Sequence, residues 1–221
     1  SRGLGDVYKR QMPFNAPYSL LNGSLILDSS HHVLHCAGMP EDTKDLIRIT
    51  LSEFSQIGCE IFVGNRVLIR RMSPETEHHI KVLDLEYSMV TQESLGNTAE
   101  WCKINFTGKP EQMENVRTFL KPYTDRFCMA SSMPAFCEIT ASGINKGSAL
   151  KQIAADCGIA ENHIFAIGDS YNDESMLQAA HIGFAPSNSD EDILRTADVV
   201  VCSNNEDAVA QAIEYMEAHY C

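Results

Sequence analysis

The stretch "AIGDSYNDESML", residues 166–177, decides the fold of this chain. An apolar run, "HIFAIG", leads into it and a helix-like run leaves it. Between them stand Gly168, Asp169, Asn172 and Asp173. The same grammar continues on both sides. "KGSALKQIAADCG" reads as a helix with Ala149, Leu150, Ile153, Ala154 and Cys157 on one face and Gly158 as its stop. After residue 177 come strand "HIGFA", helix "DEDILRTA", strand "DVVVC" and a helix over 206–219, opened by a capping box from Ser203 to Glu206. Strict alternation of apolar strands with helices predicts a parallel sheet covered on both faces.

In such sheets the ligand crevice lies beyond the carboxyl ends of the strands. Asp169 falls at such an end and Asp173 in the first turn of the next helix, so both carboxylates can face the crevice. Two acids near one point repel unless a cation lies between them, and oxygen-only ligation suits Mg²⁺. Helix capping explains one acid well, but not the Gly-Asp before it together with the Asn172-Asp173 pair. Lys146, at the entrance to the preceding helix, can reach the same crevice. An ammonium and a divalent cation side by side imply a strongly anionic partner, and a phosphoryl group fits.

Upstream the grammar differs. Residues 1–11, "SRGLGDVYKRQ", lack any period and are expected to be a non-native or disordered leader. From Tyr18 the chain reads as a strand, a turn at Asn22-Gly23, and a hairpin ending at Cys36. A helix over 41–57 is expected to stop at Gly58. "CEIFVGNRVLIRR" reads as a hairpin with Gly64-Asn65 at its tip. A polar helix follows Pro74, "WCKINFTG" is a strand, 110–121 a helix, and "FCMASS" and "AFCEITAS" two more strands. Hairpins mixed with helices make residues 24–138 an α+β layer. Trp101, Phe106 and the Arg66, Arg70, Arg71 group read as packing and solvation of that layer.

Seventeen basic against 30 acidic residues give a net charge of −13, which repels phosphate backbones and excludes a basic nucleic-acid face. No apolar run approaches the ~18 to 20 residues that span a bilayer, and a cytoplasmic location is expected. Eight cysteines without a C-x-x-C pair read as free thiols. His31, His32, His35 and Cys36 look like a metal cluster, but strand alternation puts His35 and Cys36 on opposite faces, which argues against one.

"GINKGSAL", "IGDSYNDESML" and "GFAPSNSDEDILRTADVVVCSNNEDAVAQAIE" together resemble the last third of the haloacid dehalogenase (HAD) superfamily, in its Cof-type, subclass IIB branch. "LNGSLIL" and the α+β layer resemble that family's cap domain. The resemblance implies an α/β fold: a parallel Rossmann-like core, from 12–23 and 139–221, with an inserted α+β cap over 24–138. It implies a Mg²⁺-dependent phosphomonoesterase of sugar phosphates or similar small phosphorylated metabolites. It makes Lys146 the phosphate-neutralising lysine, Asp169 and Asp173 the metal acids and Asn172 an orienting residue. Asn22 and Gly23 match the family's Asn-Gly on the hinge side.

Family members carry their nucleophile in a D-x-D-G-T motif on the first strand, and these 221 residues contain none. The core is therefore expected to be incomplete, lacking a strand beside "HIFAIG", and the chain alone to be inactive. Asp84 and Glu86 in "VLDLEYS" imitate the alternation without the Gly-Thr turn and read as ordinary secondary structure. Two other readings remain: a non-catalytic descendant that binds phosphate and metal, and a receiver-like domain, which leaves the large α+β insertion unexplained.

Overall fold

A computed structural model describes residues 15–64, 66–91 and 100–220. They divide into two compact units, one ending at Ile144 and the other starting at Asn145. The expected leader, 1–11, and Asn65 of the expected hairpin tip lie outside the described residues.

The first unit opens with β1 (Tyr18–Leu20), β2 (Leu25–Leu27) and β3 (Val33–Cys36), an antiparallel sheet in that order. The turn between β1 and β2 holds Leu21, Asn22 and Gly23 at φ of 56°, 55° and 99°. Asn tolerates that left-handed region and Gly favours it, whereas Leu does so at a cost. The β1–β2 pairing joins Ser19 to Ile26 across the expected core–cap boundary at 23/24.

Six strands form the main sheet of this unit, in the order β6-β5-β4-β7-β9-β8. They are β4 (Gly58–Val63), β5 (Arg66–Arg71), β6 (Tyr87–Met89), β7 (Lys103–Thr107), β8 (Phe127–Ala130) and β9 (Phe136–Ala141). All neighbours are antiparallel except β5 and β6. Alternation sorts the side chains as a strand must. Cys59, Ile61, Ile104, Phe106, Cys137 and Ile139 face one side and pack with helices α1 (Glu41–Glu53) and α3 (Pro110–Leu120). Trp101 and Phe106 are buried in that core, and Arg48 and Lys44 stand 5.5 and 5.6 Å from the centre of the Trp101 ring.

The opposite side of the sheet is mixed: Phe62, Val67 and Ile69 form a second apolar cluster with Leu85, and beside it runs a polar row. Glu60, Asn105 and Glu138 are cross-strand partners in one row, and all three are buried. Glu60 accepts from Asn105 Nδ2 at 2.9 Å and lies 2.9 Å from Nδ1 of His79 on α2 (Pro74–Leu83). Glu138 pairs with Lys103.

Two local expectations are corrected. Helix α1 stops at Glu53, not 57, because Arg71 reaches its end, donating to the Phe54 and Leu51 carbonyls at 2.7 and 2.9 Å. Gly58 does not end the helix but opens β4, where a Cβ would stand 2.1 Å from Thr76 Oγ1 and 2.3 Å from Thr107 Oγ1. Asp84 is the left-handed residue that closes α2, and Glu86 is exposed.

The second unit is a parallel sheet of β10 (Phe165–Ile167), β11 (Ile182–Pro186) and β12 (Val199–Val201). Ala166 and Ala185 pack on one face with residues of α4 (Lys146–Asp156), α5 (Glu174–Ala179) and α6 (Glu191–Thr196). Phe165, Ile167 and Phe184 pack on the other with Ala208, Ala212 and Tyr215 of α7 (Ala208–Tyr220). Strand β10 is an edge with no neighbour on its outer side among the described residues. The Ser203–Glu206 capping box forms, but around a single 3₁₀ turn. Asp207, at φ 64°, then separates that turn from α7, which starts two residues later than expected.

The buried Lys103–Glu138 pair yields a prediction. Burial favours the neutral carboxyl, but the Lys103 ammonium and nearby hydrogen-bond donors outweigh it and hold Glu138 below the usual carboxylate range. A depressed folded-state value means stability that is present above the unfolded value and lost as pH falls through the folded one. Lys103→Met leaves a buried charge unpaired and is expected to cost about 3–5 kcal/mol in urea unfolding at neutral pH. That deficit should shrink in acid, where the carboxyl is neutral in both proteins; a deficit independent of pH would show that the pair does not set it.

Candidate active site

The corner at 166–177 is built by two closely packed helix starts. Gly168 extends the β10 ladder by one bond, its N–H donating to the Phe184 carbonyl at 3.1 Å. Ser170 then begins a 3₁₀ turn over Tyr171–Asp173 that runs into α5. Asp173 is buried and folds back: its Oδ2 accepts from the backbone N–H groups of Asp169 and Ser170 at 3.1 and 3.2 Å. Gly168 is required beneath it, because a Cβ there would stand 2.4 Å from Asp173 Cβ.

Lys146 arrives from α4. Asn145 caps that helix, accepting from the Ser148 N–H at 2.9 Å, while Ser148 Oγ accepts from the Asn145 N–H at 3.0 Å. Lys146 follows directly, and its Nζ donates to Asp173 Oδ1 at 2.6 Å. The next residue sets the approach of the helices: a Cβ on Gly147 would lie 2.1 Å from the Ser175 carbonyl oxygen, and the Gly147 N–H donates to Ser175 Oγ at 3.2 Å. The lysine side chain remains 31% exposed while the aspartate is 9% exposed, so the ammonium can still reach outward from a fixed base.

Asp169 differs. It is exposed, and its carboxylate makes no hydrogen bond or ion pair among the described residues; only its backbone carbonyl is engaged, by Asp190 N–H at 3.2 Å. It lines a cleft of about 340 Å³ at the carboxyl ends of β10 and β11, with Pro186, Asn204 and Asp207. Asn172 is half-buried beside it in the turn. The surroundings are acidic: the Asp192 carboxylate, with slight burial and Asp190, pushes the Tyr171 phenol above its ordinary range.

The structure thus brings Lys146, Asp169, Asn172 and Asp173 into one corner of the second unit, with Lys146 and Asp173 in direct contact. Asn22 and Gly23 belong to the first unit. There the buried Asn22 amide reaches toward Glu138 and helps hold its charge without completing a well-formed hydrogen bond.

Sequence reasoning missed Gly147 and Ser175, whose contact sets the Lys146–Asp173 meeting, and also Asn204 and Asp207. The last two follow the end of β12, so the strand-end rule that found Asp169 could have found them. His31 and His32 contact Tyr18 and Asp28, and no group of three or more His, Cys, Asp or Glu residues suited to a metal occurs among the described residues.

A divalent cation fits the corner on the chemistry of its donors. Asp169 offers two unengaged oxygens. Asp173 has about four acceptor positions as a carboxylate, and three are taken. At most two carboxylates with the remainder from water or substrate is a Mg²⁺ pattern, not a Ca²⁺ cage.

Gly147→Ala is expected to force α4 and α5 apart and cost about 1–3 kcal/mol in urea unfolding. Lys151→Ala, on the exposed side of the same helix, should stay within about 0.5 kcal/mol. Equal effects would remove the close approach as the cause.

Comparison with known proteins gives the family and the fold of the chain. The model of the haloacid dehalogenase-like hydrolase family matches residues 2–213. YxeH of Bacillus subtilis is 38% identical over 112 residues, which make up 50% of this chain and 42% of that protein. The 5-amino-6-(5-phospho-D-ribitylamino)uracil phosphatase YcsE of Bacillus subtilis is 27% identical over 207 residues, 86% of this chain and 81% of that one. Among solved structures, the HAD subclass IIB sugar phosphatase BT4131 superposes with a TM-score of 0.81 at 20% identity, over 97% of this chain and 80% of that chain. The α/β fold expected from the sequence is the fold of these proteins, and the chain belongs to the haloacid dehalogenase-like hydrolase family.

Proposed function

We propose that this chain carries the phosphate- and metal-binding part of a Mg²⁺-dependent phosphomonoesterase for a sugar phosphate or similar small phosphorylated metabolite. The observation that carries the reading is the corner itself. An ammonium is fixed on a buried carboxylate, and an unengaged carboxylate stands one turn away at the strand end. Asp169, with a remaining acceptor position of Asp173, would hold the cation. When bound, such an ion neutralises phosphoryl oxygens and acts as a Lewis acid.

The chain's own residues supply the rest. Lys146 offers its ammonium to a phosphoryl oxygen while Asp173 keeps it aimed. Asn172 orients the bound group. The two helix starts, with their positive ends toward the crevice, favour an anion there. As in the family, 12–23 with 139–221 would serve as the core and 24–138 as the cap that selects the ester.

The phosphoryl-accepting carboxylate is not supplied by any D-x-D-G-T motif in these residues, so turnover is expected to need a segment that carries one. The alternative is a module that binds phosphate and metal without catalysis. A cytoplasmic location is supported by the free thiols of all seven described cysteines and by the lack, among described residues, of a helix long and apolar enough to cross a membrane. The net charge of −13 argues against a nucleic-acid partner.

The test is Mg²⁺-dependent phosphate release from p-nitrophenyl phosphate and from a hexose phosphate. It compares this chain with a version extended upstream by a D-x-D-G-T strand. Turnover is expected in the extended form only, and Lys146→Met should lower it by about 10²–10³-fold, the usual loss for one charge-stabilising donor. Equal activity with and without the extension would place the chemistry elsewhere. No activity in either, with Mg²⁺ binding intact, would favour the binding module.

A further inference from the structure

Within the first unit, residues 36–39 run beside residues 100–102 and are fastened at three points. Met39 donates its N–H to the Trp101 carbonyl at 2.8 Å. Gly38 lies so close that an added Cβ would stand 2.8 Å from Glu100 Cβ. At the third point the sulfur atoms of Cys36 and Cys102 are 3.1 Å apart, and both are free thiols. A disulfide bond is about 2.05 Å long, so only ~1 Å of side-chain movement separates this pair from one.

The backbones are already held in place from outside the pair. Cys36 is registered opposite Leu25 in the β2–β3 ladder, and Cys102 donates its N–H to the Phe62 carbonyl at 2.8 Å. Among the described residues no other two cysteine sulfurs are in contact. Cys36 is an exposed residue whose sulfur is partly covered, and Cys102 is fully buried, so a reagent reaches the pair from the Cys36 side.

We propose that Cys36 and Cys102 form a thiol-oxidation site that closes to an internal disulfide when the chain meets a small-molecule disulfide such as oxidised glutathione. The Cys36 thiolate attacks one sulfur of the oxidant, whose S–S bond breaks. The departing thiolate takes up the proton that Cys36 gave away, leaving a mixed disulfide on Cys36. The Cys102 thiol then gives up its proton and attacks Cys36 Sγ, expelling the second glutathione as a thiol. Two protein thiols are oxidised and one small disulfide is reduced to two thiols.

The first step is slow at neutral pH. Burial, then the Cys102 thiol, then the Glu100 carboxylate push the Cys36 thiol up to about 12, so its thiolate is scarce. Once closed, the bond ties the three-stranded sheet that carries the Asn22-Gly23 turn to the segment entering β7.

In the test, the 221-residue chain is incubated for hours with oxidised glutathione, alkylated, digested without reduction and mapped by mass spectrometry. The expected product is a peptide pair joined through Cys36 and Cys102 that separates on reduction, with a thermal midpoint raised by roughly 5 °C or more. Cys102→Ser should stop at the mixed disulfide on Cys36, while Cys157→Ser should leave the cross-link intact. Recovery of both cysteines alkylated, or of Cys36 only as a mixed disulfide in the unaltered chain, overturns the proposal.

Discussion

The carboxylate of Asp173 is the constraint on which the candidate site depends. One of its oxygens holds the Lys146 ammonium at 2.6 Å, and the other gathers the N–H groups of Asp169 and Ser170. A buried acid in that position fixes the turn, fixes the lysine and leaves Asp169 facing outward. If its oxygens were left without these donors, the cost of a buried charge would fall on the turn itself. The contact is made possible by missing atoms: Gly168 and Gly147 have no Cβ where one would collide with Asp173 and with the Ser175 backbone.

This arrangement divides labour between two acids that look equivalent on paper. Asp173 serves the protein, and Asp169 is available to something else. The capping reading of the pair is realised at Asp173, whereas the oxygens of Asp169 are left unengaged among the described residues. The first unit shows a similar economy: its sheet packs an apolar face against α1 and α3 and keeps a row of buried polar residues on the other. There Lys103, His79 and Asn105 supply the donors that two buried glutamates require.

The parallel sheet of the second unit was legible because its signal is local. Apolar strands alternate with capped helices, and Asp169 sits at a strand end by the same rule. The antiparallel hairpins were legible from their turn residues. What escaped the sequence depends on contacts between distant segments. Arg71 shortens α1 by reaching across from β5, and Gly58 is small because two threonines from α2 and β7 crowd it, although a glycine after a helix reads as a stop. The short parallel pairing of β5 with β6 has no local pattern to announce it. Lys146 was found, but its bond to Asp173 follows from the packing of α4 on α5 through Gly147 and Ser175, a contact 28 residues apart in the chain.

As proposed, Asp169, with Asp173 behind it, would be the seat of a divalent cation. Paramagnetic Mn²⁺, which takes the same oxygen donors, can be titrated into the ¹⁵N-labelled chain while amide signals are followed by NMR, since line broadening reports even weak binding. Broadening is expected to centre on residues 168–173 and to be lost in Asp169→Asn, with the rest of the spectrum unchanged. Broadening centred elsewhere, or undiminished in Asp169→Asn, would contradict it.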